Sequence, residues 1–216
     1  MGRKKRVPHI YKPSTHNIFF CLSSAKKWCQ LLLTRSEGKT YEPFLKFLVE
    51  KDFFESERSD RFERFTIKSL AQHSNYKPAD VTKWISNIYD DIFELNMENE
   101  NLFQTDGVKH NLYFQYLYDN TASWIIWLKQ TPRQYEKVCF DFVKAKVGTY
   151  RFWAKDITHN ITEEDHHVDI WLSGSTLNRH RELLYDRALF EGRLGFFESH
   201  DLEEFEIDDR LIKEYR

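Results

Sequence analysis

Glycine is scarce: seven residues in a chain of 216. None of them builds GxxxxGK[ST] or GxGxxG, so no phosphate-cradling loop of either kind is encoded. GxSxG and HExxH are also missing, which removes the commonest serine-hydrolase and zinc-protease signatures. Cysteine is rarer still. Cys21, Cys29 and Cys139 are odd in number, widely spaced and contain no CxxC. A disulfide framework and a zinc knuckle are thereby excluded, and a reducing, intracellular compartment is expected. No uninterrupted apolar run exceeds five residues, as in Ile18–Leu22, whereas a membrane span needs about 20. A membrane is therefore not an expected partner. The basic start Gly2–Arg6 is followed by Pro8, His9, Lys12, Pro13 and His16, where a signal peptide needs an apolar stretch. Arg6 stands where a myristoylation site needs Ser or Thr. A cytoplasmic protein is the expectation.

Aromatic residues are plentiful at 16%, which argues for a packed core over disorder. The charges nearly cancel, with 32 bases against 34 acids. Their order along the chain does not. Residues 1–35 hold eight bases and no acid, a segment of +8; residues 160–216 hold seven bases and fifteen acids, a segment of −8. A basic arm at one end and an acidic tail at the other is a pattern of chains that meet nucleic acid. Within the arm, Arg3, Lys4, Lys5 and Arg6 are consecutive, and Pro8 and Pro13 keep the chain extended beyond them. An extended cationic strand can follow a phosphate backbone or enter a minor groove.

Residues 17–35 predict one helix, with Ile18, Leu22, Ala25, Cys29, Leu32 and Leu33 near helical spacing. Pro43 opens a second, carrying Phe44, Phe47, Leu48 and Phe54. Residues 66–74 predict a short third helix. Pro78 starts the strongest one: Val81, Trp84, Ile85, Ile88, Ile92 and Leu95 form one continuous stripe. After about residue 102 the pattern turns to strands. His110–Tyr118 and Trp124–Lys129 predict a hairpin around a turn at Asp119–Ser123, apolar on both faces. Val138–Val143 reads as a strand, and Tyr150–Ile161 with His167–Leu172 as a second hairpin with an acidic tip at Thr162–His166. Ser175 is the expected N-cap of a helix to about Phe190, with Gly192 just past its end. Asp201 and Glu204 have capping-box spacing for a last acidic helix.

The segment Ile67–Ile85 resembles a helix-turn-helix. Ala71 supplies the small residue at the helix crossing, Asn75 stands where glycine is usual in the turn, Tyr76 takes the apolar turn position, and Val81 and Trp84 point inward. Asn is the best non-glycine residue for a left-handed turn position. The resemblance implies that the second helix reads a major groove near its N-terminus. Its outward residues are Lys77, Ala79, Thr82, Lys83, Ser86 and Asn87. Lys77 and Lys83 suit phosphate or guanine; Thr82, Ser86 and Asn87 suit base edges or backbone. The hairpin at residues 110–130 follows where a winged-helix protein carries its wing, although its tip, Asp119-Asn120-Thr121, is not basic.

His159, Glu163, Glu164, Asp165, His166, His167 and Asp169 crowd one hairpin tip. Such a set can bind a metal or transfer protons, but solvated acidic turns are routine, and neighbouring strand residues such as His166 and His167 face opposite sides. Trp124, Trp127, Trp153 and Trp171 can stack on bases or fill the core.

The sequence thus predicts an α+β fold: a helical part with a helix-turn-helix, then antiparallel β-hairpins and C-terminal helices. Residues 1–16 form the arm, 17–97 a helical domain and 98–216 an aromatic-rich domain with an acidic tail. The expected function is DNA binding without catalysis, as a regulator or accessory factor. Arg3, Lys4, Lys5, Arg6, Lys12, Lys77, Thr82, Lys83, Ser86 and Asn87 would contact double-stranded DNA. No metal or cofactor is implied. The alternative is an assembly or adaptor protein that binds another protein, or its own copy, through its aromatic hairpins and acidic helix.

Overall fold

The structure, a computed structural model, describes residues 10–51, 66–117, 120–195, 202 and 204–215. The fold is α+β, with eight helices and a five-stranded mixed sheet among the described residues. Residues Arg3, Lys4, Lys5, Arg6, Phe54 and Asp201, each given a role above, lie outside them. Two compact units divide between Ser175 and Thr176. The first contains α1 (Thr15–Ser23), α2 (Lys26–Leu33), α3 (Glu42–Glu50), α4 (Ile67–Ser74), α5 (Pro78–Glu98), α6 (Lys144–Val147) and the sheet, all around one core.

The helix expected over 17–35 is two helices. The Ser23 and Ser24 hydroxyls donate to the carbonyls of Phe20 (2.6 Å) and Cys21 (2.7 Å). Such back-bonding competes with the helical ladder, and Ala25 leaves the helical region at φ −119, ψ 29. The break lets α1 and α2 each turn a face inward, burying Phe19, Leu22, Cys29 and Leu32. The Cys21 thiol donates to the Asp141 carbonyl at 3.3 Å, and burial pushes its pKa up to about 11.

The strands are β1 (Val108–Tyr116), β2 (Asn120–Leu128), β3 (Lys137–Cys139), β4 (Arg151–Ile161) and β5 (His166–Ser173), in the order β2-β1-β5-β4-β3. Both expected hairpins form, but the first has a tighter turn. Tyr116 pairs with Asn120, so Asn120–Ser123 belongs to the strand. Leu117 turns the corner at φ 49. Beyond the antiparallel hairpins, β1 and β5 pair in parallel, from Lys109–His167 to Gln115–Ser173. The hairpin at 110–130 is therefore part of a larger sheet.

One sheet face packs on the helices. Leu112, Phe114, Trp124, Phe152, Val168 and Ile170 lie there and are buried. Trp124 is the hub: Trp28 of α2 lies 4.5 Å from it, ring centre to ring centre, Phe142 5.1 Å and Phe93 of α5 5.3 Å. Trp124 and Trp127 are thus core residues. The strand expected over Val138–Val143 stops at Cys139. Phe142, Val143, Ala145 and Val147 are all buried and lie on a 3₁₀ turn (Asp141–Val143) followed by α6.

The sheet edges are managed separately. At β2, the buried Asn96 of α5 donates from Nδ2 to the Ile125 carbonyl (2.9 Å) and accepts the Ile125 N–H (2.8 Å). The side chain thus acts as one rung of a missing strand. At the other edge, β3 has only three residues, which limits unwanted pairing.

His110, on β1, is fully buried. Its Nδ1 lies 2.7 Å from the Val108 carbonyl and so carries the proton; Nε2, 2.9 Å from the Thr131 hydroxyl, accepts. Burial holds its pKa below the ordinary value, and His159 and His166 push it the same way. The folded pKa lies below the unfolded one, so the unfolded chain binds the proton more readily. The stabilisation is present above the unfolded pKa, about 6.5, and is lost as pH falls toward the folded value. Thermal melts between about pH 7.5 and 5.5 should show falling stability, by at most about 1.4 kcal/mol per pH unit from this group. His110→Phe should flatten that dependence; an unaltered pH profile in the variant would contradict the assignment.

The second unit, residues 176–216, contains α7 (Arg179–Phe190) and α8 (Glu204–Glu214). The N-cap is Asn178, whose side chain accepts from the Arg181 N–H at 3.1 Å, and not Ser175. Gly192 lies past the helix end at φ 67. Ala188, Leu194, Ile207 and Leu211 form the core of this unit, and Arg181 pairs with Asp208 between its helices.

Candidate nucleic-acid interface

α4 begins at Thr66, whose hydroxyl accepts the Ser69 N–H at 3.0 Å. It ends at Asn75, which adopts the left-handed conformation at φ 59, ψ 34. The following N–H, of Tyr76, returns to the Ala71 carbonyl at 3.0 Å. Lys77 then opens α5, with Pro78 at its first position. The turn is thus Asn75-Tyr76-Lys77. Leu70, Ala71, Val81 and Ile85 are buried in the angle between the two helices. Tyr76 meets Trp84 edge-on at 4.9 Å and Phe44 at 6.2 Å, so its ring locks the turn to α3 and α5.

The residues expected to touch DNA sort clearly. Lys77 and Lys83 are exposed; Thr82, Ser86 and Asn87 are half-buried on the same half of α5. The Ser86 hydroxyl donates back to the Thr82 carbonyl at 3.4 Å, so it is partly engaged by its own helix. Asp80 is exposed between the lysines. Farther along, Asp90 pairs with Lys146 (3.3 Å) and Asp91 with Lys39 (3.1 Å) and the Tyr41 hydroxyl. These pairings offset Asp90 and Asp91, while the exposed Glu94 and Glu98 keep the distal half of α5 acidic, so its first three turns are the less acidic end.

Lys12 is exposed but does not join the α5 set. Its neighbour Tyr11 is pinned to the start of β2: its N–H donates to the Asn120 side chain at 2.7 Å, and its hydroxyl accepts from Asn17 at 3.0 Å. The Tyr11 ring lies over Gly148, where a Cβ would sit 3.1 Å from it on a backbone at φ +94. The basic arm is therefore rooted beside Asn120 and Thr121.

That root adjoins a feature that sequence spacing did not single out. The sheet face turned away from the helices carries the stacked pair Tyr113 and Trp171, ring centres 4.7 Å apart and planes 25° apart. Trp171 is 52% exposed. Both rings line a cavity of about 550 Å³, together with Met97, Thr121, Ser123 and Lys146. Both also line a second, of about 250 Å³, together with Lys155, Asp156 and Ser173. Beneath the pair, Asp169 accepts from Asn111 and Asn160, each at 2.8 Å, and hydrogen-bonds the Tyr113 hydroxyl. Burial and the Asp169 charge raise the Tyr113 pKa, so the phenol keeps its proton and donates. Of the four tryptophans considered for stacking, only Trp171 combines large exposure with a cavity; Trp153 lies under the Lys137 ammonium at 5.0 Å.

The histidine-rich tip resolves into two separate pairs. His159 and His166 approach at 3.4 Å on the helix-facing side of the sheet, and His167 meets Asp165 at 2.6 Å on the other. No group of three or more His, Cys, Asp or Glu residues that could hold a metal is present among the described residues. No described helix is long and apolar enough to cross a membrane.

Comparison with protein-family models, curated proteins and solved structures returns no match. The side chains alone therefore carry the functional reading.

Proposed function

We propose that the chain is a non-enzymatic DNA-binding protein, in which the first three turns of α5 meet the duplex and the basic arm supplies electrostatic anchoring. The observation that carries this reading is the joint at residues 66–85. A left-handed Asn75 ends α4, and α5 departs with Lys77 and Lys83 exposed and Thr82, Ser86 and Asn87 alongside. Paired phosphate and base-edge groups on the first turns of a helix suit a major groove, which admits one helix. Arg3–Arg6 add four consecutive cations, which suit phosphates irrespective of sequence.

The test is a polarisation titration on labelled duplex DNA over a range of salt. Lys77→Ala with Lys83→Ala should weaken binding about 10-fold or more at low salt. The salt slope should become shallower by about 0.9 for each phosphate that is no longer neutralised. An unchanged affinity and slope would exclude α5 as the DNA-binding element.

A specific observation favours the adaptor reading as the alternative. In the second unit, Leu183 and Phe190 are 67% and 93% exposed, seven residues apart on α7. That spacing places both on one side of the helix, a suitable anchor pair for another protein. Sedimentation of a strictly monomeric protein that binds DNA with full affinity would remove this alternative.

A further inference from the structure

We infer that the open face of the sheet is a second binding surface, one that takes single-stranded nucleic acid by stacking bases on either side of the Tyr113–Trp171 pair. The inference goes beyond duplex recognition by the first turns of α5 and does not use Lys77 or Lys83.

The rings stand on adjacent, parallel strands and cover one inner face each. Both rings line both cavities. A planar base entering either cavity finds an aromatic face on one side and polar groups at its edge. Thr121 and Ser123 supply these in the larger cavity; Ser173 and Asp156 supply them in the smaller. Stacking needs no particular base, because every base has a π-face. A duplex does not fit this arrangement, since its bases already stack on one another.

The rings are held ready. Asp169 fixes the Tyr113 hydroxyl and is itself held by Asn111 and Asn160 from the two flanking strands. Little ordering is therefore required at the moment of binding.

Charge decides where the sugar–phosphate backbone runs. Glu94 and Glu98 stand on the α5 wall of the larger cavity and outnumber Lys146, which is paired with Asp90, so this wall repels phosphate. Across the face, Lys137, Arg151 and Lys155 lie on β3 and β4, with Asp156 as the nearby acid. The backbone is expected along that edge. The cations of β3 and β4 suit a polyanion better than an apolar partner.

The experiment uses the full chain with labelled 12-mers of oligo-U and oligo-dT, and a duplex for comparison, at low salt. Wild type should bind the single strands. Trp171→Ala should weaken that binding about 10- to 100-fold, the range for removal of one base–aromatic stack, and leave duplex affinity within about twofold. Trp171→Phe keeps a ring and should retain binding within about threefold. Lys137→Glu, at an exposed position whose ammonium lies over Trp153, should weaken single-strand binding while leaving the melting temperature within a few degrees. A preference between the two oligomers identifies RNA or single-stranded DNA as the occupant. Absence of single-strand binding would overturn the inference. So would Trp171→Ala binding as wild type does, or an equal weakening toward duplex. A dimer that Trp171→Ala dissociates would show that a second copy occupies the face instead. Failure of duplex binding alone would sink the α5 reading and leave this one standing.

Discussion

Replacing Asn96 by Ala should destabilise the first unit by about 2–5 kcal/mol. Two buried backbone groups of Ile125 are deprived of their partners together, and each unsatisfied buried group costs about 1–3 kcal/mol. Asn96 is fully buried, so water does not substitute readily. For a unit of this size the melting temperature should fall by about 5–15 °C. The edge of β2 would also be offered to other chains, so aggregation on heating should increase. Asn96→Asp should not rescue: its carboxylate can accept the Ile125 N–H but cannot donate to the carbonyl. Glu98→Ala, two residues on and exposed, should lie within about 0.5 kcal/mol of wild type. Calorimetry on the three variants checks the order. An Asn96→Ala protein that melts with wild type would mean that the edge of β2 does not depend on this side chain.

Removing residues 1–9 should give the largest change in duplex affinity. The deletion takes away Arg3, Lys4, Lys5 and Arg6 and keeps Tyr11, which anchors the remaining chain on Asn120. With four fewer phosphates neutralised, the salt dependence on duplex DNA should flatten by about 3 to 4 in slope. Affinity at about 50 mM salt should fall at least 10-fold. Because the cations act without sequence preference, specific and random duplexes should weaken alike. A deletion that discriminated between them would mean that the arm reads bases. Thermal stability should not move, which separates this effect from unfolding.

These effects track how legible each part was in the sequence. The stripe on α5 was legible because Val81, Ile85, Ile88 and Ile92 sit at helical spacing and are all fully buried. The joint at Asn75 was legible because few residues tolerate its backbone. The division of the first helix was not, because Ser23 and Ser24 fit a helical pattern and act only through their hydroxyls. The parallel pairing of β1 with β5 joins residues nearly sixty positions apart, which no local pattern records.

The aromatic pair was hidden for a further reason. Trp124 and Trp171 occupy similar apolar strands, and alternation cannot say which face the helices will cover. Only the register of β1 against its two neighbours places Trp124 in the core and Trp171 in the open. Asn96 lies in the last turn of α5, which runs to Glu98, and nothing local in the sequence shows that its side chain serves the sheet edge. The change of pattern near residue 102 is a change of secondary structure within one core, since Leu22, Ile85 and Phe114 belong to the same buried cluster.

The most direct test of DNA recognition is a salt titration of the intact protein on labelled duplex DNA. Six cations, Arg3 to Arg6 with Lys77 and Lys83, should give a log–log slope near −5, with measurable binding at about 50 mM salt and roughly a thousandfold weakening by about 200 mM. No binding at the lower salt, or binding indifferent to salt, would contradict the proposed interface.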